Sequence, residues 1–243
     1  MPLGLGSNLS KGGIVTPGIV TDNLVLKHNY SAGAVVPVSD GAIYFDSSAD
    51  SYVTASDSSS LDFTDAFSSC FWIMPLDVDS DWELLWGKGD LSDGVQVYKM
   101  VQINTNGILR LELNEESASR ADTTTSLQNN RWYHIACTYD KSNTKIYVNG
   151  VLEDTTSYST SISTNSEDLH IGLANVTTSG WKGYMCNLGM WNVALTSPQI
   201  KSITNKRYSE LSGTETTGLV SWWAFDTNAN DATNTNNGSI SGG

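Results

Sequence analysis

Carboxylates, histidines and cysteines are where chemistry would begin in this chain, and the spacing of each set can be read. On a strand, residues i and i+2 share a face, so the acid and nucleophile of a glycosidase can stand together in an E-x-D pattern. No E-x-D occurs anywhere in the 243 residues. The nearest approach is "LELNEE" (111–116), with Glu112 and Asn114 on one face and Glu116 following. Asn neither takes nor gives the proton, so a polar strand end is expected there. "DVDSD" sets Asp77, Asp79 and Asp81 at the first ligand positions of an EF-hand loop, but the sixth position is Trp82 instead of Gly and the twelfth is Lys88 instead of Glu. That match fails. His28, His134 and His170 lack the close spacing of a zinc site. Neither G-x-S-x-G nor G-x-x-x-x-G-K-[ST] is present. The residues point away from an enzyme.

The elements that would position these residues are short strands. From Gly41 onward, runs such as "AIYFD" (42–46), "FSSCFWIM" (67–74), "VQVYKMVQI" (95–103), "GILRLEL" (107–113) and "GYMCNLGMWN" (183–192) alternate with Asn, Gly, Asp and Ser. This is the texture of a sandwich, not of a βαβ fold. In "WYHIACTYDKSNTKIYVNGVLED", Tyr133, Ile135, Cys137 and Tyr139 alternate with Trp132, His134, Ala136 and Thr138. Both faces of that strand carry bulk, as in the middle of a sandwich. "DKSN" turns the chain, and Asn149-Gly150 supplies the positive φ angles of a type I′ hairpin. One helix is expected in "ALTSPQIKSITNKRY": Thr196 or Ser197 can cap, Pro198 fits the first turn, Gln199 completes a capping box, and Ile200 and Ile203 share a face.

Composition bounds the partners. A net charge of -13, from 26 acidic and 13 basic residues, repels phosphate backbones and anionic membranes, so no nucleic-acid and no membrane partner is expected. No stretch approaches the ~20 apolar residues of a membrane span, and "MPLGLGSNLSKGG" lacks the character of a secretory signal. Assembly in a host cytoplasm is the expectation, and the sequons at Asn8, Asn29, Asn175 and Asn237 then carry little weight. Cys70, Cys137 and Cys186 lie far apart amid apolar neighbours and read as small buried hydrophobes. Residues 1 to 40 differ in texture, mixing Gly, Ser and Pro with β-branched bursts that include "GIVTPGIVT". They read as an extended N-terminal arm that pairs along a partner's sheet edge, ahead of a sandwich over 41–243 with a polar C-terminal tail from about 229.

Four stretches, in order, resemble the concanavalin A-like, laminin-G-like jelly-roll domains. They are "AIYFDSSADSYVTASDSSSLDFTDAFSSCFWIMP", the hairpin "WYHIACTYDKSNTKIYVNGVLED", "LHIGLAN…WKGYMCNLGMWNVALTSPQI" and "GLVSWWAFD". The resemblance implies an all-β, two-sheet antiparallel jelly-roll sandwich with its first and last strands side by side. The chain departs from the family at Cys186-Asn187, where an acidic pair is frequent, and at Gly189, where Arg is usual.

The resemblance also suggests sites. With first and last strands paired, "FDSSAD" and "FDTNAND" would bring Asp46, Asp50, Asp226 and Asp231 to one rim, where relatives of this fold hold calcium; ordinary Asx turns are the competing reading. Sugar binding would need exposed aromatic faces, and Trp82 and Trp181 stand closest to polar turns, while Trp86, Trp132, Trp191, Trp222 and Trp223 sit in strand motifs. The segment "DNLVLKHNYSAGAVVPVSDGAIYFD" resembles virion proteins of tailed phages. That likeness implies a capsid decoration or fibre-like appendage, held to other virion proteins or to copies of itself by the arm and able to contact a host-surface glycan. A stand-alone carbohydrate-binding or adhesion module is the alternative, and a glycoside hydrolase a more distant one.

Overall fold

Period-two alternation dominates the sequence, and strands dominate what it forms. The computed structural model describes residues 36–47, 51–78, 82–89, 96–103, 106–173 and 180–241. The chain divides into two units, Met1–Val35 and Val36–Gly243, and the expected arm lies, up to residue 35, outside the described residues. In chain order the strands are β1 (Ile43–Asp46), β2 (Tyr52–Ala55), β3 (Phe67–Pro75), β4 (Glu83–Gly89), β5 (Gln96–Gln102), β6 (Leu109–Leu113) and β7 (Ala121–Asp122). There follow β8 (Tyr133–Tyr139), β9 (Asn143–Val148), β10 (Val151–Ser157), β11 (Leu169–Ile171) and β12 (Lys182–Trp191). After the helix α1 (Ser197–Ile203) come β13 (Leu219–Trp223) and β14 (Gly238–Ser241).

They build two seven-stranded sheets, β1-β12-β3-β8-β9-β10 with β13 also on β12, and β14-β2-β11-β4-β5-β6-β7. All the pairings are antiparallel, so the two-sheet sandwich with one short helix is what forms. Tyr133, Ile135, Cys137 and Tyr139 point into the core between the sheets, with Phe71, Ile73, Trp86, Met100 and Leu111. The opposite face of the first sheet is buried too: Cys70, Ala136, Tyr147, Trp191 and Trp222 lie under Ile200 and Ile203 of α1. A strand covered on both faces needs bulk on both, which is why β8 reads as it does.

Local chemistry sets the turns. Thr196 caps α1: its Oγ1 accepts the Gln199 N–H at 3.4 Å, while Gln199 Oε1 accepts the Thr196 N–H at 2.8 Å. Asn149 and Gly150 take φ 51° and 77° in the β9–β10 turn, and Asn149 Oδ1 accepts the His134 N–H at 3.0 Å, tying that turn to β8. The sandwich is stitched along the β7–β10 side by carboxylates. Glu153 Oε2 accepts the Thr124 and Thr125 N–H groups, each at 2.8 Å, and Asp154 Oδ2 accepts the Asp122 N–H at 3.1 Å.

The first and last strands are not side by side. β1 pairs with β12 over Lys182–Met185 and β13 pairs with the same strand over Leu188–Trp191, so the two lie end to end along one edge. The changeover falls at Asn187, where the register of β12 slips. Asn187 adopts φ 53°, its N–H donates to Ala224 O at 3.1 Å, and its Nδ2 donates to Val38 O at 3.0 Å. Asn tolerates that left-handed conformation better than most residues. Gly189 is explained as well, because a Cβ there would stand 2.6 Å from the Trp191 ring and 2.7 Å from the Trp222 ring. Residues expected in the polar tail are structured: β14 pairs with β2 from Gly238–Ala55 to Ser241–Tyr52.

Candidate functional site

The register decides the fate of the acidic rim. Asp46 lies opposite Lys182 at the outer end of β1. Asp226 belongs to the changeover, since a Cβ on Gly41 would stand 2.5 Å from its carbonyl oxygen. Five residues of extended chain, about 3.3 Å each, put the two aspartates about 16 Å apart along the edge. Asp231 is 1% exposed and engaged in its own loop: Oδ1 accepts the N–H groups of Trp222 and Thr233, and Oδ2 accepts Thr233 Oγ1 and the N–H groups of Thr235 and Asn236. Asp226 Oδ1 accepts the N–H of its neighbour Thr227 at 2.8 Å, and the bond from Asp231 to the N–H two residues on, that of Thr233, is the Asx turn. Asp50 lies outside the described residues. Of the four aspartates expected at one calcium rim, the described three, Asp46, Asp226 and Asp231, are not brought together, because β1 and β13 meet end to end along β12. Among the described residues no three His, Cys, Asp or Glu side chains are grouped to hold a metal ion.

The two tryptophans part company. Trp181 is fully buried, tilted against Phe45 at a 6.1 Å ring separation, and belongs to the core, so it offers no face to a ligand. Trp82 is 52% exposed where the β3–β4 connection enters β4, with φ 61°. A bulky residue in that region costs about 1–3 kcal/mol, and such strained positions cluster at functional sites.

The same end of the sandwich carries aromatics that the sequence reading assigned to strand architecture. Tyr44 of β1 and Tyr184 of β12 are register partners on the outer face, their rings 5.0 Å apart and 35° from parallel. Tyr44 is 45% exposed. Met74 of β3 lies opposite Tyr184 on its other side. Two residues further along both strands, on the same face, come Asp46 and Lys182, also register partners. An apolar ring surface bounded by one acid and one base can hold the C–H face of a pyranose and meet its hydroxyls. Alternation holds the signal for Tyr44: Phe45 is buried in the core, so its neighbour must face outward.

The remaining chemistry-bearing groups belong to the frame. Glu112 Oε1 and Oε2 accept from Arg120 at 3.1 Å each, and Glu115 takes Lys99 Nζ at 2.6 and 2.7 Å, so two of the three "LELNEE" carboxylates stand in ion pairs, and the third, Glu116, is exposed. Burial pushes the His134 ring down to about 3, holding it neutral, with Nδ1 3.2 Å from Thr204 Oγ1. Since that hydroxyl donates to Ile200 O at 3.0 Å, the imidazole is the donor to it. Burial likewise raises the thiols of Cys70 and Cys137 far above the usual range and that of Cys186 to about 12, and all three cysteines are free. No helix among the described residues is long and apolar enough to cross a membrane.

Comparison with known proteins agrees with this architecture. Among solved structures, a Bacteroides ovatus protein to which carbohydrate binding is ascribed superposes with a TM-score of 0.63 at 23% identity, over 83% of this chain and 58% of that one. The binding domain of Paraclostridial Mosquitocidal Protein 1 gives 0.54 at 17% identity, over 68% of this chain and 43% of that one. Domain 4 of AbnA, an extracellular arabinanase from Geobacillus stearothermophilus, solved with arabinotriose, gives 0.52 at 19% identity, over 68% of this chain and 76% of that one. The chain thus spans well under two thirds of the Bacteroides protein, and at these identities the likeness establishes the fold. No curated protein matches this sequence. The Laminin_G_3 model matches residues 46–201, more than half the chain, and the protein belongs to the concanavalin A-like lectin/glucanases superfamily.

Proposed function

We propose that the sandwich is a non-catalytic saccharide-binding module whose contact surface is the Tyr44–Tyr184 pair with Trp82, flanked by Asp46 and Lys182. The carrying observation is the register pairing of exposed Tyr44 with half-buried Tyr184 beside a charged pair on the sheet, while Trp86, Trp191, Trp222 and Trp223 of the strand motifs are buried. Two solved proteins of like fold, the Bacteroides ovatus protein and the arabinanase domain seen with arabinotriose, are described as handling carbohydrate, which supports the reading. The ion-paired carboxylates of β6 and the turn after it support a binding rather than a hydrolytic role. On a glycan array the wild type should retain at least one neutral glycan, and Tyr184→Ala and Trp82→Ala should each weaken that binding about tenfold, or about 1.4 kcal/mol. Undiminished binding in both variants, or silence from the wild type, would sink the platform.

The finer reading is that this module is displayed on a tailed-phage virion, as a capsid decoration or fibre-like appendage held by residues 1 to 40. It rests on the resemblance of the segment leading into β1 and on the division of the chain near residue 36. Deleting residues 1 to 40 should abolish incorporation into particles and leave glycan retention intact. Incorporation of the truncated chain would argue for a free-standing adhesion module.

A further inference from the structure

At the end of the sandwich opposite the tyrosine platform, the β2–β3 connection, the start of the β12–α1 connection and Val220 of β13 line a half-open cavity of about 390 Å³. That is within the range of about 300–1,000 Å³ typical of small-molecule sites. Its walls are Phe63, Ala66 and Val220, and its rim carries Ser59, Thr64, Asp65 and Asn192. The walls are fixed: Phe63 stacks on Phe67 at 5.6 Å and 15°, inside the core. The rim is pinned from behind by Asn236, whose Nδ2 donates to Ser60 Oγ at 2.9 Å and to Ser221 Oγ at 2.7 Å. Such a cavity needs little ordering to accept a ligand.

Part of its hydrogen-bonding capacity is uncommitted. Among the described residues, the hydroxyls of Ser59 and Thr64 and the side-chain amide of Asn192 make no hydrogen bond. Asp65 directs Oδ1 to Lys141 Nζ at 2.6 Å and Ser161 Oγ at 2.8 Å, leaving Oδ2 toward solvent. The charge around it is partly offset. Asp62, in the wall, stands 3.1 Å from the buried Lys88, and Asp65 has Lys141. The Lys141 and Ser161 hydrogen bonds hold the Asp65 carboxyl below the usual carboxylate range, so it stays an acceptor. Lys88 is shared with Asp57, so three carboxylates face two lysines; among the described residues no three acidic side chains are grouped to hold a cation, and this surplus on a molecule of net charge -13 gives no welcome to an anion. Hydroxyls, an amide and a carboxylate around an apolar wall are the complement of a neutral polyol.

We propose that this cavity is a second saccharide site, taking one neutral pyranose residue. The inference rests on the carbohydrate-binding reading but uses none of the platform residues. β3 runs from Phe67 beside the cavity to Met74 and Pro75 beside Tyr184, and its nine residues put the two sites about 25–30 Å apart. Two sites so separated would bridge distinct glycan chains and add avidity to weak single contacts.

The test is amide chemical-shift mapping on the full-length ¹⁵N-labelled protein with glucose, galactose, mannose and N-acetylglucosamine at millimolar concentrations, and glucuronate as the anionic probe. At least one neutral sugar should shift the Thr64, Asp65 and Asn192 amides. Asn192→Ala, an exposed change that leaves the core alone, should weaken that response about tenfold, and Thr64→Ala should weaken it in the same direction. Tyr184→Ala should leave it unchanged, and glucuronate should produce none. Unmoved cavity amides with all four neutral sugars, an unaltered titration in Asn192→Ala, or an equal response to glucuronate would overturn the proposal. The platform is judged separately by the array behaviour of Tyr184→Ala, so either site can fail alone.

Discussion

His134 shows what a chemistry-bearing residue does when the fold claims it. Its ring meets Trp72 edge-on at 5.4 Å and stays neutral down to about pH 3. The unfolded chain takes up that proton near the ordinary value of 6.5. Below 6.5 the unfolded state therefore binds a proton that the native state refuses. The associated stability is complete above 6.5 and is lost as pH falls toward 3, by up to about 1.4 kcal/mol per pH unit. Urea midpoints measured between pH 6.5 and about 4.5, above the carboxylate range, should fall less in His134→Gln than in the wild type; parallel losses would disprove the assignment. The thiols offer a second check. In native buffer an aromatic disulfide reagent should find no reactive cysteine, and in denaturant it should find Cys70, Cys137 and Cys186. At this scale the sequence was half legible. Trp82 and Trp181 have alike polar neighbours in sequence, yet one lies outside and the other under Phe45, because the second marks where the chain re-enters the core. Local texture carries no trace of that long-range contact.

Elements are held by a few buried or seam-bridging charges, and these set the largest mutational effects. Lys88, at the end of β4, is fully buried with its ammonium 2.8 Å from Asp57 Oδ1, 3.1 Å from Asp62 Oδ1, 2.8 Å from Asn165 O and 3.0 Å from Asn165 Oδ1. It ties the β2–β3 and β10–β11 connections to one strand. Lys88→Met leaves the surrounding carboxylates without their cation and should cost about 3–5 kcal/mol, read as a lowered urea midpoint. Glu153→Ala frees the Thr124 and Thr125 amides on the β7–β10 seam and should cost about 1–3 kcal/mol by the same measurement. The elements that could be read had their causes nearby: the Asn149-Gly150 turn and the Thr196–Gln199 capping box are written within a few residues of where they act. β14 could not be read. "GSIS" is short, polar and at a sheet edge, and only its partner β2 makes it a strand. The outward placing of Tyr44 was legible in alternation, since Phe45 beside it faces the core.

Across the whole molecule, the sandwich could be inferred from turn spacing and alternation, whereas the order of strands along each edge could not. Pairing between β12 and strands far away in sequence is set by how the layers close, so the separation of Asp46 from Asp226 along that edge could not be read in advance. The surplus of negative charge acts at this scale too. Raising salt to about 0.15 M shortens the screening length to about 8 Å and relieves self-repulsion, so the melting temperature should climb in calorimetry; a fall would mean that the paired charges outweigh the unpaired ones. The shared edge of β12 has a consequence for synthesis. One half of that edge is closed by Ile43–Asp46, made early, and the other by Leu219–Trp223, made after all the other strands of that sheet. On the ribosome, a nascent chain that has already folded its hairpins still presents a half-open flank, and it stays available for exchange with a neighbouring nascent chain until the late segment emerges to fill it.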